Sequence, residues 1–425
     1  MNFFHIESLP HSLSTMNLLV FLLFIANTLF ISYLASLIGG TYLSNYFRNL
    51  YLKKKKNEYL DFSLNMYEKL NNNILTPFGL GIAPLFSVVF IYIQFSDNPN
   101  NSIITSLILT TILFPIGLII HKLDYKKHSK FLAHNPYSAF KGNSGLSYLS
   151  LFFFIVVALI FTGSEVSFYQ NFGKAGSANI FSTIFSLNGI ISFVLILAIS
   201  YLFAIINFLK FEFKPKESDN DAYHLTKDKS SALFLYFGIG VFVLFLVRNF
   251  MFNNAIKNEP FWSIFLVALL SLIVSIYYVN GSKNNLQKSM KVPYAAFLIF
   301  ILGFGGSDAM LFRNAADQNI AVISKKYDKE MEEFHITHAA ETEVKVDAEG
   351  IYFDKCISCH DMDKKLVGPA FKDVVPKFKD NQEALKDFLL NPTKIDPNYP
   401  PMPNQGLKPT EAKALAEYLL KQIVQ

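Results

Sequence analysis

The sequence predicts an all-α protein in two parts: a polytopic bundle of about eight transmembrane helices, followed by a small all-α water-soluble domain. Three observations lead there. Hydrophobic residues make up 52% of the 425 residues, Phe alone numbers 44, and charged residues are only 17%, far from the balance of an ordinary globular domain. The apolar residues gather into runs before residue 313 and thin out after it, and each run is about as long as a bilayer-crossing helix, roughly twenty residues. Both cysteines of the chain fall in the polar C-terminal part. These features divide the chain into a transmembrane domain at 1–312, a charged linker at 313–345 and a soluble domain at 346–425.

In hydrocarbon the backbone must satisfy its own hydrogen bonds, so each apolar run is read as a helix. The expected spans are 16–40, 77–95, 103–121, 148–163, 189–209, 232–247, 262–278 and 294–312, with ends placed to about three residues. Pro84 and Pro115 are candidate kink points. Met1 to Thr15 contains no lysine or arginine, so the basic start of a cleavable signal is missing and the first run is expected to be retained as a helix.

Basic residues set the expected orientation. Arg48, Lys53, Lys54, Lys55, Lys56 and Lys69 follow the first span, and Lys122, Lys126, Lys127, Lys130 and Lys141 follow the third. Lys210, Lys214, Lys216, Lys227 and Lys229 follow the fifth, and Lys283, Lys288 and Lys291 the seventh, whereas the other side holds little beyond Lys174, Lys257 and Arg248. Lysine-rich loops stay cytoplasmic, so the N-terminus and the exit of the eighth helix are expected outside. The formal charge of +5 therefore reports topology, and no basic, aromatic-interleaved patch suggests nucleic acid.

A haem held within the membrane would need two strong ligands facing each other at similar depth. By this topology His5 and His11 lie outside, His128, His134 and His224 fall in cytoplasmic loops, and only His121 ends a span. A haem using His5 or His11 with Met16 is the alternative to loop histidines. Arg248, Glu165 and Asp308 are expected near the outer face, with Asp308 either paired to Arg248, solvated, or placed to receive a quinol proton.

The stretch Ser14-Thr15-Met16-Asn17, the basic loop, and Thr76-Pro77-Phe78-Gly79-Leu80-Gly81 together resemble the start of subunit I of the cytochrome bd quinol oxidases. That family draws a histidine haem ligand from its early first helix, about where Asn17 stands here, and another from the fifth helix, which has no counterpart. The resemblance implies a relative that kept the scaffold and lost the haem and oxygen chemistry.

The sharpest motif is Cys356-Ile357-Ser358-Cys359-His360, which uses both cysteines of the chain. Two thiols at this spacing followed by histidine suit covalent haem attachment, each sulfur adding to a vinyl group while the imidazole takes one axial position. A redox dithiol would need no histidine and favours a strand-helix setting. A structural zinc site needs about four ligands, and no second pair lies nearby. His335 and His338 share a helix face in the linker; exposed histidines are the default there, and a metal site the alternative.

Residues 346–425 resemble class I cytochrome c along their whole length. Gly350-Ile351-Tyr352-Phe353 leads a helix into Cys356; Leu366-Val367-Gly368-Pro369-Ala370-Phe371 follows the motif; Tyr399-Pro400-Pro401-Met402-Pro403 precedes Leu407 and an amphipathic helix opening at Pro409 and Glu411. The resemblance implies that Gly368 and Pro369 form the pocket turn behind the proximal His360 and that Met402 is the distal ligand. A thioether suits that role physically, since a soft ligand stabilises ferrous iron and prolines on both sides hold the sulfur. Met362, two residues past His360, cannot easily reach the opposite face of the same ring; a five-coordinate or bis-histidine iron is the other alternative. Leu385, Phe388, Leu389, Leu415, Tyr418 and Leu419 recur at helical spacing as expected walls.

The function expected is single-electron transfer by one covalent haem c, on the periplasmic face of a bacterial inner membrane, within a respiratory or photosynthetic complex. Redox proteins at the haem edge are expected partners; Lys364, Lys365, Lys372, Lys377 and Lys379 form either a docking rim or, with interleaved aspartates, a mixed surface. One helix would suffice as an anchor, so the membrane part is expected to bind other subunits or a quinone. A quinol-oxidising enzyme with a quinone or haem b site of its own is the alternative.

Overall fold

The structure, a computed structural model, describes residues 11–71, 75–95, 102–134, 140, 142, 145–171, 180–211, 221–281, 290–341 and 346–424, and no strand occurs among them. His5, Lys141, Lys174, Lys214, Lys216, Lys283 and Lys288 lie outside the described residues, as do the side chains of His134, His224, Lys227, His335 and His338.

Among the described residues eight helices are long and apolar enough to cross a membrane. They are α1 (Leu13–Lys54), the span Pro77–Phe95 that ends in α3 (Ala83–Phe95), α4 (Ser102–His134), α5 (Gly145–Gln170), α7 (Leu187–Phe211), α8 (Asp221–Met251), α9 (Glu259–Gly281) and α10 (Lys291–Ala315). Between them lie α2 (Asn57–Asn71) and the short α6 (Ile180–Ile184), and α11 (Asp317–Glu341) follows α10. The second span opens as a wide π-helical turn, Pro77–Ile82, where a Cβ on Gly81 would sit 2.7 Å from the Phe114 ring.

The expected number of spans holds and several of their ends do not. Ser12 caps the start of α1 by accepting from Thr15 N, and the helix runs well past residue 40 to stop at Lys55, whose φ of 56° is left-handed. Likewise α4 continues beyond His121 to His134. Hydropathy marks only the stretch that matches hydrocarbon, whereas the intrahelical hydrogen bonds continue into the interface until a breaking conformation stops them.

That extension corrects two placements. Arg48, expected in a loop, is a fully buried residue of α1: its Nε donates to Ser63 Oγ at 3.0 Å, Nη1 donates to Asp124 Oδ2 at 3.4 Å, and the guanidinium lies 4.6 Å from the Tyr67 ring centre. His128, also expected in a loop, is buried in α4 with Nδ1 3.3 Å from Asp124 Oδ1. At the other end of the bundle, Arg248 donates to Asp308 through Nη1 at 2.6 Å and Nη2 at 3.2 Å, and through Nε to Ser192 Oγ at 3.1 Å. Glu165 accepts from Asn27 Nδ2 at 2.7 Å. All three charged groups are at most 3% exposed, so the solvated alternative fails and the Arg248–Asp308 pair stands. Charges at these depths are tolerated because they turn inward and meet partners.

Helix α1 is the hub, packing against α2, α3, α5, α7 and α10. The outer surface of the bundle is apolar, with Phe21, Phe86, Ile112, Ile119 and Leu270 more than half exposed, as lipid-facing side chains are.

The chain divides into two compact units, Met1–Asp328 and Lys329–Gln425. The second contains α12 (Ala348–Lys355), α13 (Phe371–Val374) running into a 3-10 turn at Val375–Phe378, α14 (Gln382–Leu390) and α15 (Pro409–Val424). Helix α15 packs on α12, α13 and α14, burying Leu415 and Leu419 completely against Leu385 and Leu389. Each such side chain contributes about 1.5–3 kcal/mol of transfer free energy. Phe388 and Tyr418, expected beside them, are half-buried.

Candidate functional site

Helix α12 starts where Asp347 Oδ1 accepts from Gly350 N at 2.8 Å. Its last turn hands over directly to the motif, with Cys356 N donating to Tyr352 O at 3.0 Å. The chain then coils tightly: Cys359 N and His360 N both donate to Cys356 O, at 3.1 and 2.9 Å. Two thiols and an imidazole are thereby brought to one place by backbone bonds alone. Both cysteines are free thiols, and burial pushes the Cys356 thiol up to about 11. Just beyond, Asp361 Oδ1 accepts from Asp363 N and Lys364 N at 2.8 and 3.0 Å, and these bonds hold its carboxyl below the usual range.

The orientation of His360 follows from its partner. Nδ1 lies 2.8 Å from Pro369 O, and a carbonyl can only accept, so Nδ1 carries the proton and Nε2 keeps its lone pair. Gly368 N donates to Cys359 O at 2.8 Å, bringing residue 368 against the imidazole. A Cβ there would lie 2.7 Å from Nε2, so only glycine leaves the ring this position. The Phe371 ring stacks on His360, 4.8 Å between centres and 27° between planes.

His360, both cysteines, Gly368, Pro369 and Met402 all line one cavity of about 430 Å³, walled by Phe378, Leu385, Phe388, Leu389 and Leu419. The loop carrying Met402 is pinned at several points. Asn404 Nδ2 donates to Leu390 O at 2.9 Å, Gly406 N donates to Asn404 Oδ1 at 2.8 Å, and Lys355 Nζ donates to Gln405 O at 3.0 Å. Gly406 has φ 63°, the left-handed region that favours glycine. Lys365 Nζ lies 4.6 Å from the Tyr399 ring centre. Lys408 N donates to Glu411 Oε2 at 2.9 Å and fixes the start of α15, while Tyr352 meets Tyr418 at 5.9 Å.

Both cysteines and His360 of the motif, Gly368 and Pro369 of the turn, and Tyr399 to Pro403 of the methionine loop thus meet at one cavity, whereas Ile357, Ser358, Leu366 and Ala370 do not line it. Met362 packs at the edge of the core and does not line it. Two contributors escaped the sequence reading: Phe371 as the ring stacked on His360, and the Asn404–Gly406 turn that fixes the methionine loop. Asn followed closely by Gly is a turn signature and could have signalled the second.

An apolar cavity of this size with two thiols, a free imidazole nitrogen and a thioether on its wall fits a haem. Residues 346–422 match the family model described as Cytochrome c. The chain is 40% identical over 68 residues to cytochrome c-551 of Pseudomonas denitrificans, covering 15% of this chain and 83% of that protein. It is 38% identical over 69 residues to cytochrome c-552 of Hydrogenobacter thermophilus, covering 15% and 69%, and 35% identical over 72 residues to cytochrome c-552 of Nitrosomonas europaea, covering 16% and 69%. Covalently attached haem c and electron transfer come with these matches. Through its C-terminal domain the chain belongs to the cytochrome c family.

Proposed function

We propose that this is a membrane-anchored mono-haem cytochrome that passes single electrons as a subunit of a respiratory or photosynthetic electron-transport complex. Cys356 and Cys359 would hold the haem covalently, His360 and Met402 would ligate its iron, and Gly368 and Pro369 shape the pocket. The observation carrying this reading is His360: its Nδ1 proton is committed to Pro369 O, which leaves Nε2 as the donor atom on a cavity shared with Met402 and both thiols. Bound there, the haem would supply one-electron redox chemistry. Pro369 fixes the imidazole and raises its basicity, the pinned loop holds the Met402 thioether, and Leu385, Leu389 and Leu419 keep water out.

In this reading residues 1–312 form the transmembrane domain, 313–345 a linker and 346–425 the haem domain on the periplasmic side of a bacterial inner membrane. Lysines gathered at one end of the spans support that orientation. Partners are redox proteins at the haem edge and further membrane subunits. A potentiometric titration of the full chain in nanodiscs tests the carrier role, a single one-electron wave being expected and a two-electron wave contradicting it. Protease added to spheroplasts should release a haem-staining fragment; full protection contradicts the side assigned.

One observation favours a second reading, in which the membrane domain oxidises quinol, alone or with a haem b. Glu165 and Asp308 are both buried in the bundle beside a single guanidinium, and carboxyls so placed are characteristic of proton-handling sites. Quinol turnover by the purified chain alone would carry it; no turnover with the c haem intact would sink it.

A further inference from the structure

We propose that the membrane domain holds an anionic glycerophospholipid in a groove formed by α1, α2, α7 and α8. Helices α1 and α7 approach closely at Gly39, where an added Cβ would collide with the Ser200 carbonyl. From Leu43, one turn further along α1, a cavity of about 320 Å³ opens. Its walls are aromatic: Tyr46 and Phe47 from α1, Tyr59 from α2, Tyr201 from α7 and Tyr236 from α8. Two lysines complete its lining from different elements, Lys54 at the last residue of α1 and Lys229 in α8, with Ser230 beside the latter.

Charge and depth select the occupant. Among the described residues no carboxylate forms an ion pair with Lys54 or Lys229, and both lysines line the one groove. Lys229 stands where the sixth span opens, at Asp228, and Lys54 lies beyond the apolar stretch of α1, where the helix continues past the hydrocarbon toward the headgroups. Tyr46 is 40% and Tyr236 71% exposed, so the groove opens outward from the bundle, toward lipid. A phosphodiester between the two ammoniums, hydroxyls near Ser230 and an acyl chain along the tyrosines satisfy all of these features together. A zwitterionic lipid carries its own cation, which the lysines repel, and free phosphate has no tail for the aromatic wall.

Native mass spectrometry of the full chain in detergent, with phosphatidylglycerol and phosphatidylcholine of matched acyl chains, tests the proposal. Phosphatidylglycerol should be preferred by on the order of tenfold to thirtyfold, the size expected of two lysines at a membrane surface. Lys54→Gln with Lys229→Gln should abolish the preference, and Lys54→Arg with Lys229→Arg should keep it. Lys126→Gln with Lys127→Gln, an equal charge change on exposed positions of α4, should also keep it. Equal binding of the two lipids, equal loss in both glutamine variants, or displacement of the lipid by inorganic phosphate would overturn the proposal.

Discussion

The haem domain and the membrane domain both place polar side chains in apolar surroundings, and they spend them differently. Around His360 the polar atoms are half used: Nδ1 is engaged by Pro369, while Nε2, the Met402 sulfur and two thiols converge on a cavity. In the membrane domain the charges use one another. Arg248 directs all three of its nitrogens at Asp308 and Ser192, and Arg48 reaches Ser63 and Asp124. A ligand site keeps donor atoms in reserve, whereas an ionic lock leaves few. The first kind of site is built to receive a cofactor, and the second fastens helices together.

The comparison can be broken most sharply at the thiols. Cys356→Ala with Cys359→Ala should remove covalent haem entirely, read as loss of haem staining after denaturing electrophoresis, while the membrane domain still folds. Arg248→Ala should act in the opposite sense. It leaves the Asp308 carboxylate buried and unpaired and should cost the membrane domain roughly 3–5 kcal/mol, read as a lowered unfolding temperature in detergent, with the haem still attached. Replacing both partners, Arg248→Met with Asp308→Leu, should recover most of that loss. If Arg248→Ala instead removed haem and left thermal stability intact, the division of roles drawn above would fail.

Smaller changes sharpen the picture within the haem site. Met402→Ala should leave the haem bound, abolish the weak near-infrared band of methionine ligation to ferric iron and lower the reduction potential, since the thioether stabilises the ferrous state. Persistence of the band would exclude Met402 as the ligand. Gly406→Ala should cost about 1–3 kcal/mol, because the left-handed backbone strains any residue with a Cβ, and chemical denaturation monitored at the haem absorbance reads it. An unchanged midpoint would show that the turn is not held in this form.

Legibility in the sequence followed the range of the interactions. The helical spans were readable because hydrocarbon leaves the backbone one solution, and the motif because its chemistry is fixed by spacing within five residues, Cys356 to His360. Pairings between distant segments were not. Arg48 reads as part of a lysine-rich loop, and only the continuation of α1 to Lys54 brings it to Asp124, 76 positions away. Asp308 could be suspected of meeting Arg248, yet nothing local distinguishes a buried two-pronged pair from solvated neighbours. The stacking of Phe371 on His360 is similar: the residue stands in a visible motif, but its contact depends on how the Gly368–Pro369 turn folds back.

The central claim is that the chain carries one haem, covalently held at Cys356 and Cys359, and that the membrane helices are its anchor. Pyridine haemochrome quantification of the full chain purified from membranes, before and after acid–acetone extraction, tests it most directly. One haem per polypeptide with the c-type spectrum, all of it retained after extraction, is the predicted result. A second, extractable haem with a b-type spectrum, or a chain with no covalent haem at all, would contradict it.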